Sequence, residues 1–511
     1  MRRLLTALLA ASLAACASNP KPPPPPSPDT PALGATSTEA PPPPPTAQDP
    51  EAFRDKPPEP GKPPDLVLPT FQSAKLDNGL TVLVSTRKEL PLVFAGVAFA
   101  SGSAQDPKGK AGLAELSYRM LLEGAGKRDT VALDNAFADL GVSPGLDVNP
   151  DGAEVGVRVL KRNVEPALAL LADVVMRPKF DAKSFDRRKK QQLADLVRQL
   201  GSPIMLAQLA ALDAIFTEDH PYAHMSDGLP ATVQALTLAD AKGFYQRHSG
   251  PRAAALILTG DITLDEAVAL AKKHLGSWKG PGTPPAAPPT PAAPPRQLVY
   301  VVPKPELAQT VMLVGRPGLA AGHADEYALE LATTVYGGFF GSRLNMNLRE
   351  AKGYSYGAGA FMDTRLGVGP LLSYTAVRQD VTGPALTELV KELSGLKERP
   401  ITEKELESAR EGLIRAIPAG FETVEGLGAT AASIYFKRRP LNELERTVEG
   451  LRNATAAEVQ RVAELYLAPD AMQIVLVGDP ATIQEQVGPL NLGKLTPVEP
   501  DEEPAAPSAG K

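Results

Sequence analysis

Two short segments of this 511-residue chain recur at a single offset. Thr237-Leu-Ala-Asp-Ala corresponds to Thr455-Ala-Ala-Glu-Val, and Leu256-Ile-Leu-Thr-Gly-Asp261 to Ile474-Val-Leu-Val-Gly-Asp479, both pairs 218 residues apart. The first pair opens a helix and the second is a short apolar strand. One register therefore relates a helix and a strand together, which is the mark of a tandem duplication. The chain has to build the same unit twice, and its length allows two to four domains.

The first unit spans residues 68–278. A turn at Asp77-Asn78-Gly79 precedes strands at 80–85 and 92–100, with further strands at 143–148, 154–159 and 253–258. Leu and Val at helical spacing predict helices at 130–140, 164–176, 185–200, 203–216, 237–246 and 264–275. The second unit, 297–492, has strands at 298–302, 309–314, 371–377 and 473–477. Its helices are expected at 325–336, 342–349, 383–396, 403–415, 424–435 and 455–466. Such interleaving belongs to the α+β class, here as two tandem duplicated α/β sandwich domains, helices packed on one sheet face. Between them lies a linker, residues 279–296, with 8 prolines in 18 residues, and an acidic Pro/Ala tail at 493–511 is expected to be disordered.

The N-terminus carries an address. Arg2 and Arg3 precede an apolar run, Leu4–Leu13, and then small residues, the pattern of a secretory signal in residues 1–16. The run is shorter than the about 20 residues that span a bilayer. Leu13-Ala14-Ala15-Cys16 resembles the bacterial lipobox, which makes Cys16 the lipidation site; Ala17 after it favours the outer membrane. Cys16 is the only cysteine, so no internal disulfide can form. Residues 17–67 read as a tether: from Pro20 to Pro69, 20 of 50 residues are proline, a composition that extends rather than folds. A net charge of −6 and the lack of a long basic run argue against nucleic-acid binding.

The stretch Gly112–Gly124, GLAELSYRMLLEG, resembles the zinc helix of the pitrilysin/insulinase family of metallopeptidases, roughly G-L-A-H-x-x-E-H-M-L-F-x-G in an active member. There two His bind Zn²⁺ and the Glu acts as general base on the metal-bound water. Here Glu115 and Arg119 take the His positions and Tyr118 that of the Glu. A guanidinium stays protonated and offers no lone pair, so Arg119 cannot be a ligand. The family's third ligand, a Glu further on, counts out to Asp195, and a site made of Glu115 and Asp195 alone would be poor in zinc ligands. The favoured reading is a buried amphipathic helix (Leu113, Leu116, Met120, Leu121), with no metal site and no catalytic residue in this chain.

A second stretch, Gly341-Ser-Arg-Leu-Asn-Met-Asn-Leu-Arg-Glu-Ala-Lys-Gly-Tyr-Ser-Tyr356, resembles the same family's C-terminal signature, in which an Arg and a Tyr seven residues apart reach toward substrate. These are Arg349 and Tyr356. A guanidinium can hold a peptide carbonyl or carboxylate, and a phenol can donate to a developing oxyanion. Taken outside that context, Arg349 would be a surface helix residue and Tyr356 a half-buried strand residue. The loop Tyr336-Gly-Gly-Phe-Phe-Gly341 is similar to the Gly-rich loop of the mitochondrial processing peptidase's non-catalytic subunit, though shorter. His220 and His224 stand four apart, but Pro221 breaks a helix there, and structural use is favoured.

The resemblance, over roughly residues 68–492, implies two halves closing like a clamshell over an extended peptide. With the zinc half of the constellation gone and the Arg/Tyr half kept, it implies a non-catalytic subunit in a heterodimer. A zinc-bearing homologue would be the partner and would hold the cofactor, and extended peptide would be bound at the bacterial envelope. The alternative is an envelope scaffold or binding lipoprotein with no role in proteolysis.

Overall fold

The structure, a computed structural model, describes residues 66–216, 219–292 and 297–498. The signal segment, Cys16, nearly all of the tether and the tail from residue 499 lie outside the described residues.

The first half builds one six-stranded sheet from β1 (Gln72–Lys75), β2 (Thr81–Thr86) and β3 (Leu92–Phe99) and, after a small hairpin β4 (Gly124–Ala125) and β5 (Arg128–Asp129), β6 (Gly145–Val148), β7 (Ala153–Leu160) and β8 (Ala254–Gly260). Their order is β1-β2-β8-β3-β7-β6. The second half uses β9 (Val299–Pro303), β10 (Gln309–Pro317), β11 (Ser355–Met362), β12 (Pro370–Arg378), β13 (Gln473–Gly478) and β14 (Leu495–Pro497) in the order β11-β12-β10-β13-β9-β14. Read from opposite ends the sheets coincide: β2-β8-β3-β7-β6 matches β9-β13-β10-β12-β11. Strands β8 and β13 each lie parallel to one neighbour and antiparallel to the other. Only the outermost strand differs, β1 being antiparallel to β2 and β14 parallel to β9. The repeated segments sit in equivalent places. Thr237 and Thr455 each cap a helix, 238–248 and 456–466, in reciprocal boxes with Asp240 and Glu458. Both apolar repeats become wholly buried central strands, β8 and β13.

Each sheet packs its inner face on helices of its own half, the first on Leu113–Arg119, Val164–Met176, Leu238–His248 and Leu264–Leu275. The expectation that helices cover one face only is corrected by the other face. There the halves exchange helices. Leu206, Ala207, Ala211, Leu212 and Ile215, on the helix Pro203–Ile215 of the first half, pack on Val311, Leu313, Leu372, Val475 and Val477 of the second sheet. Reciprocally, Val424, Leu427, Ala431, Ala432 and Phe436, on the helix Val424–Phe436 of the second half, pack on Leu83, Phe94, Ala98, Ala255 and Ile257 of the first sheet. Gly428 allows the closest approach, since a Cβ there would stand 2.4 Å from the Phe94 ring.

Other departures have local causes. Residues 493–498, placed in the disordered tail, contain β14, which extends the second sheet beside β9. Leu66, placed in the tether, packs against the second core. The helix Glu443–Asn453 lies outside the elements that the apolar spacing predicts, since it buries only Val448 and Leu451. Strand β11, Gly- and Ala-rich, has low intrinsic strand preference and exists by pairing with β12. Residues 279–292 of the linker are tied down on both sides: the Pro289 carbonyl meets His220 Nε2 at 2.9 Å, and the Pro285 carbonyl accepts from Arg438.

Because the exchanged helices join the halves, both should unfold together. Phe94→Ala, at the contact with Gly428, is expected to cost about 3–5 kcal/mol and to lower the melting of both halves as one transition in calorimetry; two separated transitions would contradict it.

Candidate functional site

The helix Leu113–Arg119 begins at Gly112, whose φ of 91° favours glycine, and a Cβ there would come within 2.6 Å of the Asp227 carbonyl oxygen. The Asp106 carboxylate caps it, accepting from the Gly112 N–H (2.8 Å) and the Ala114 N–H (2.7 Å). Burial nevertheless pushes the Asp106 carboxyl up to about 8. Gln192, from the helix Ala182–Leu200, donates to the Gly112 carbonyl (3.2 Å) and the Asp227 carbonyl (2.8 Å), locking the entry to the helix.

The three positions that would carry zinc chemistry do other things. Glu115, 7% exposed, accepts from Arg119 Nε at 2.7 Å, and burial raises its carboxyl against the pull of that guanidinium. Arg119 Nη1 donates to the Leu146 carbonyl at 2.8 Å. Tyr118 points into the core, its hydroxyl 2.5 Å from Ser101 Oγ and its ring 5.1 Å from Phe99. It is fully buried, and burial holds its phenol well above the ordinary range, so it is no base for a water. Asp195 does reach the same place: with Glu115, Arg119, Arg188, Arg198 and Asp227 it lines a cavity of 390 Å³. Its own carboxylate is paired with Arg198 at 2.5 Å. The donor set thus does not fit zinc. Two of the carboxylates are taken up by guanidiniums, and no imidazole faces the cavity. Among the described residues no group of three His, Cys, Asp or Glu is placed to hold a metal.

A second cavity, 430 Å³, lies between the halves and shares Glu115, Arg119 and Asp227 with the first; Phe361, Asp363 and Arg365 form its opposite wall. Neither cavity is lined by Arg349 or Tyr356. Arg349 sits in the wide helical turn Met346–Ala351, its guanidinium 4.7 Å above the Phe340 ring and its Nε 3.3 Å from Glu350. The Gly-rich loop thereby supplies the platform on which Arg349 rests. Tyr356 stands on β11 at an irregularity in the pairing with β12, and is 91% exposed rather than half-buried. The two residues lie on successive elements and face solvent, apart from the Glu115–Arg119 pair.

The histidines have structural partners. His220 is stacked 4.9 Å from Phe216 and accepts from the Tyr222 N–H at Nδ1 (3.1 Å); His224 Nδ1 lies 3.0 Å from the Met225 carbonyl. What the sequence did not signal is the junction around Asp151. Its carboxylate accepts from Tyr222 Oη and from the Leu366 N–H (2.7 Å), and Tyr222 Oη accepts from the Gly367 N–H (3.0 Å). Arg365 lies 4.8 Å over the Tyr222 ring. These contacts bind the β11–β12 turn to the first half, and no short-range pattern could have paired residues so far apart in sequence.

Glu154, on β7, is half-buried across from Asp147 with its Oε1 buried and unpartnered, and desolvation, then the Asp147 charge, push its carboxyl up to about 7. The unfolded chain releases this proton near 4.5 and the folded chain near 7, so stability falls as pH rises through that interval. Glu154→Gln should remove its share of the fall, about 1–3 kcal/mol, and leave the share of Asp106 and Glu330, which burial raises in the same sense. Denaturant unfolding at both ends of the interval measures it, and an equal fall in the variant would exclude Glu154 as a source.

Residues 81–214 match the model of the insulinase family, peptidase family M16, and residues 235–413 that of the peptidase M16 inactive domain. The chain is 23% identical over 402 residues to an uncharacterized zinc protease of Mycobacterium leprae, covering 77% of this chain and 88% of that one. It is 22% identical over 405 residues to the non-peptidase homolog YmxG of Helicobacter pylori, covering 76% and 90%. Among solved structures, a peptidase M16 inactive domain from Pseudomonas fluorescens superposes with a TM-score of 0.74 at 28% identity, over 80% of this chain and 98% of that one.

Proposed function

The chain belongs to the insulinase family of M16 peptidases as an inactive homologue, and from that premise we propose that it is the non-metal subunit of a two-chain metalloendopeptidase. Its partner is a zinc-bearing homologue, and its own task is to hold extended peptide and complete the partner's site with Arg349 and Tyr356. The observation that carries this reading is the division of the constellation. The positions that would hold zinc are spent on an internal ion pair and a core tyrosine, whereas Arg349 and Tyr356 are both exposed on the second half. Stacked on the Phe340 ring and paired with Glu350 at Nε, Arg349 can still turn its outer N–H groups to a peptide carbonyl. A phenol held on a strand edge can donate to an oxyanion that forms on a substrate bound by another chain.

The test is reconstitution. Alone, the purified chain should leave unfolded peptide intact with zinc supplied; with the zinc-bearing homologue, the one-to-one complex should cleave it. Arg349→Ala with Tyr356→Ala should lower kcat of the complex by about 10²-fold or more while leaving assembly intact by gel filtration. Undiminished turnover would sink the assignment of these two residues.

We place the protein at the bacterial envelope, anchored through Cys16 with its folded part facing the periplasm from the outer membrane. The support is the Leu13-Ala14-Ala15-Cys16 segment after a signal-like apolar run. Among the described residues no helix is long and apolar enough to cross a membrane. Cys16→Ser should abolish incorporation of labelled palmitate and move the protein from the membrane to the soluble fraction; continued labelling would exclude Cys16 as the anchor.

A further inference from the structure

Among the described residues strand β6 is the outermost strand of the first sheet, paired with β7 on one side and with no strand on the other. An edge of this kind offers N–H and C=O groups to any polypeptide that can lie alongside it. Which groups it offers follows from the turn that joins β6 to β7. The Asn149 N–H donates to the Gly152 carbonyl at 2.9 Å, so these two form a hydrogen-bonded pair. Antiparallel ladders alternate: the next pair, Val148–Ala153, is non-bonded, Asp147–Glu154 is bonded, and Leu146–Val155 is again non-bonded. The peptide groups of Leu146 and of Val148 therefore point away from β7, outward from the sheet.

The outward carbonyl of Leu146 is not bare. Arg119 Nη1 donates to it at 2.8 Å while Arg119 Nε is held by Glu115 at 2.7 Å. Arg119 also lines both the 390 Å³ and the 430 Å³ cavities, so its side chain stands between them beside the strand edge. We propose that Arg119 is a plug: it occupies one of the outward hydrogen-bonding positions of β6, the Leu146 carbonyl at the middle of the strand, and so hinders extended polypeptide from adding to the first sheet. A charged donor binds a carbonyl oxygen more strongly than the neutral N–H of an incoming strand would. Glu115 holds the plug from behind, because swinging Arg119 away would strand a buried carboxylate without its partner. The first half is thereby guarded against strand addition by its own residue, independently of any role for Arg349 and Tyr356.

The experiment measures binding of a fluorescein-labelled, proline-free extended peptide by anisotropy. Glu115→Ala/Arg119→Ala removes the plug together with its counter-charge, so no buried charge is orphaned. It should bind the peptide about tenfold more tightly than the wild type, the equivalent of one competing charge-assisted hydrogen bond. Adding Leu146→Pro deletes an outward N–H without breaking a ladder bond and should cancel the gain. The same peptide N-methylated at alternate residues should show no gain either, a reading that does not depend on how Leu146→Pro folds. The gain should persist in an Arg349→Ala/Tyr356→Ala background. The plug is refuted if the double variant binds no more tightly than the wild type, if the N-methylated peptide gains equally, or if the gain vanishes with Arg349 and Tyr356.

Discussion

The structure depends on an exchange. A sheet has two faces, and an exposed apolar face in water is unstable at about 25 cal/mol per Å². The helices that pack on a sheet of their own half cover one of its faces and leave the other to be covered from across the molecule. Each therefore lends one helix, Pro203–Ile215 to the second sheet and Val424–Phe436 to the first, and the borrowed helices are apolar where they land. Ala432 and Gly428 let the latter lie close over Phe94 and Ala98, and Ala211 and Ala207 play the same part on the other side. Separating the halves would bare both sheets at once. That is why the described chain beyond Leu66 behaves as one compact unit although its sequence is a repeat.

The exchange also shapes what lies between the halves. With both sheets covered at their centres, the uncovered ground is at the margins, where β6 and the motif helix of the first half face Phe361 and Arg365 near the β11–β12 turn. Asp151 and Tyr222 tie that turn to the first half through the Leu366 and Gly367 N–H groups. Within this frame the motif helix keeps its mechanics and has changed its chemistry. Gly112, its Asp106 cap and the Gln192 bridge set its entry, while Glu115 and Arg119 satisfy one another. The helix is still needed by the core, since Leu116, Tyr118, Met120 and Leu121 are fully buried.

Much of the architecture was legible because it is written in local pattern. The helix 164–176 and the helix 264–275 were readable to the residue, their apolar positions repeating at helical spacing and, in the latter, Thr263 capping with Glu266. Elements with no such pattern escaped. Strand β1 is Gln-Ser-Ala-Lys, β11 is built on glycines, and β14 is three residues long; each is a strand only because a neighbour pairs with it. The site divides in the same way. That Arg119 cannot serve zinc follows from what a guanidinium is; that Tyr118 is a core residue only the structure decided. That Asp195 shares a cavity with Glu115 was reachable by counting, and its pairing with Arg198 by i,i+3 spacing; that Arg119 turns to the Leu146 carbonyl was not.

The amino-acid sequence by itself determined the duplication, the α+β class, the membership of a peptidase family and the loss of that family's metal chemistry. Each of these rests on residue type and spacing along the chain, which need no third dimension. Only the tertiary structure decided which helix covers which sheet, that Arg119 turns to the Leu146 carbonyl, and that Arg349 rests on Phe340 beside an exposed Tyr356. These are contacts whose energy depends on distance and on what water has been excluded, and both are set by chain segments that the linear order keeps apart.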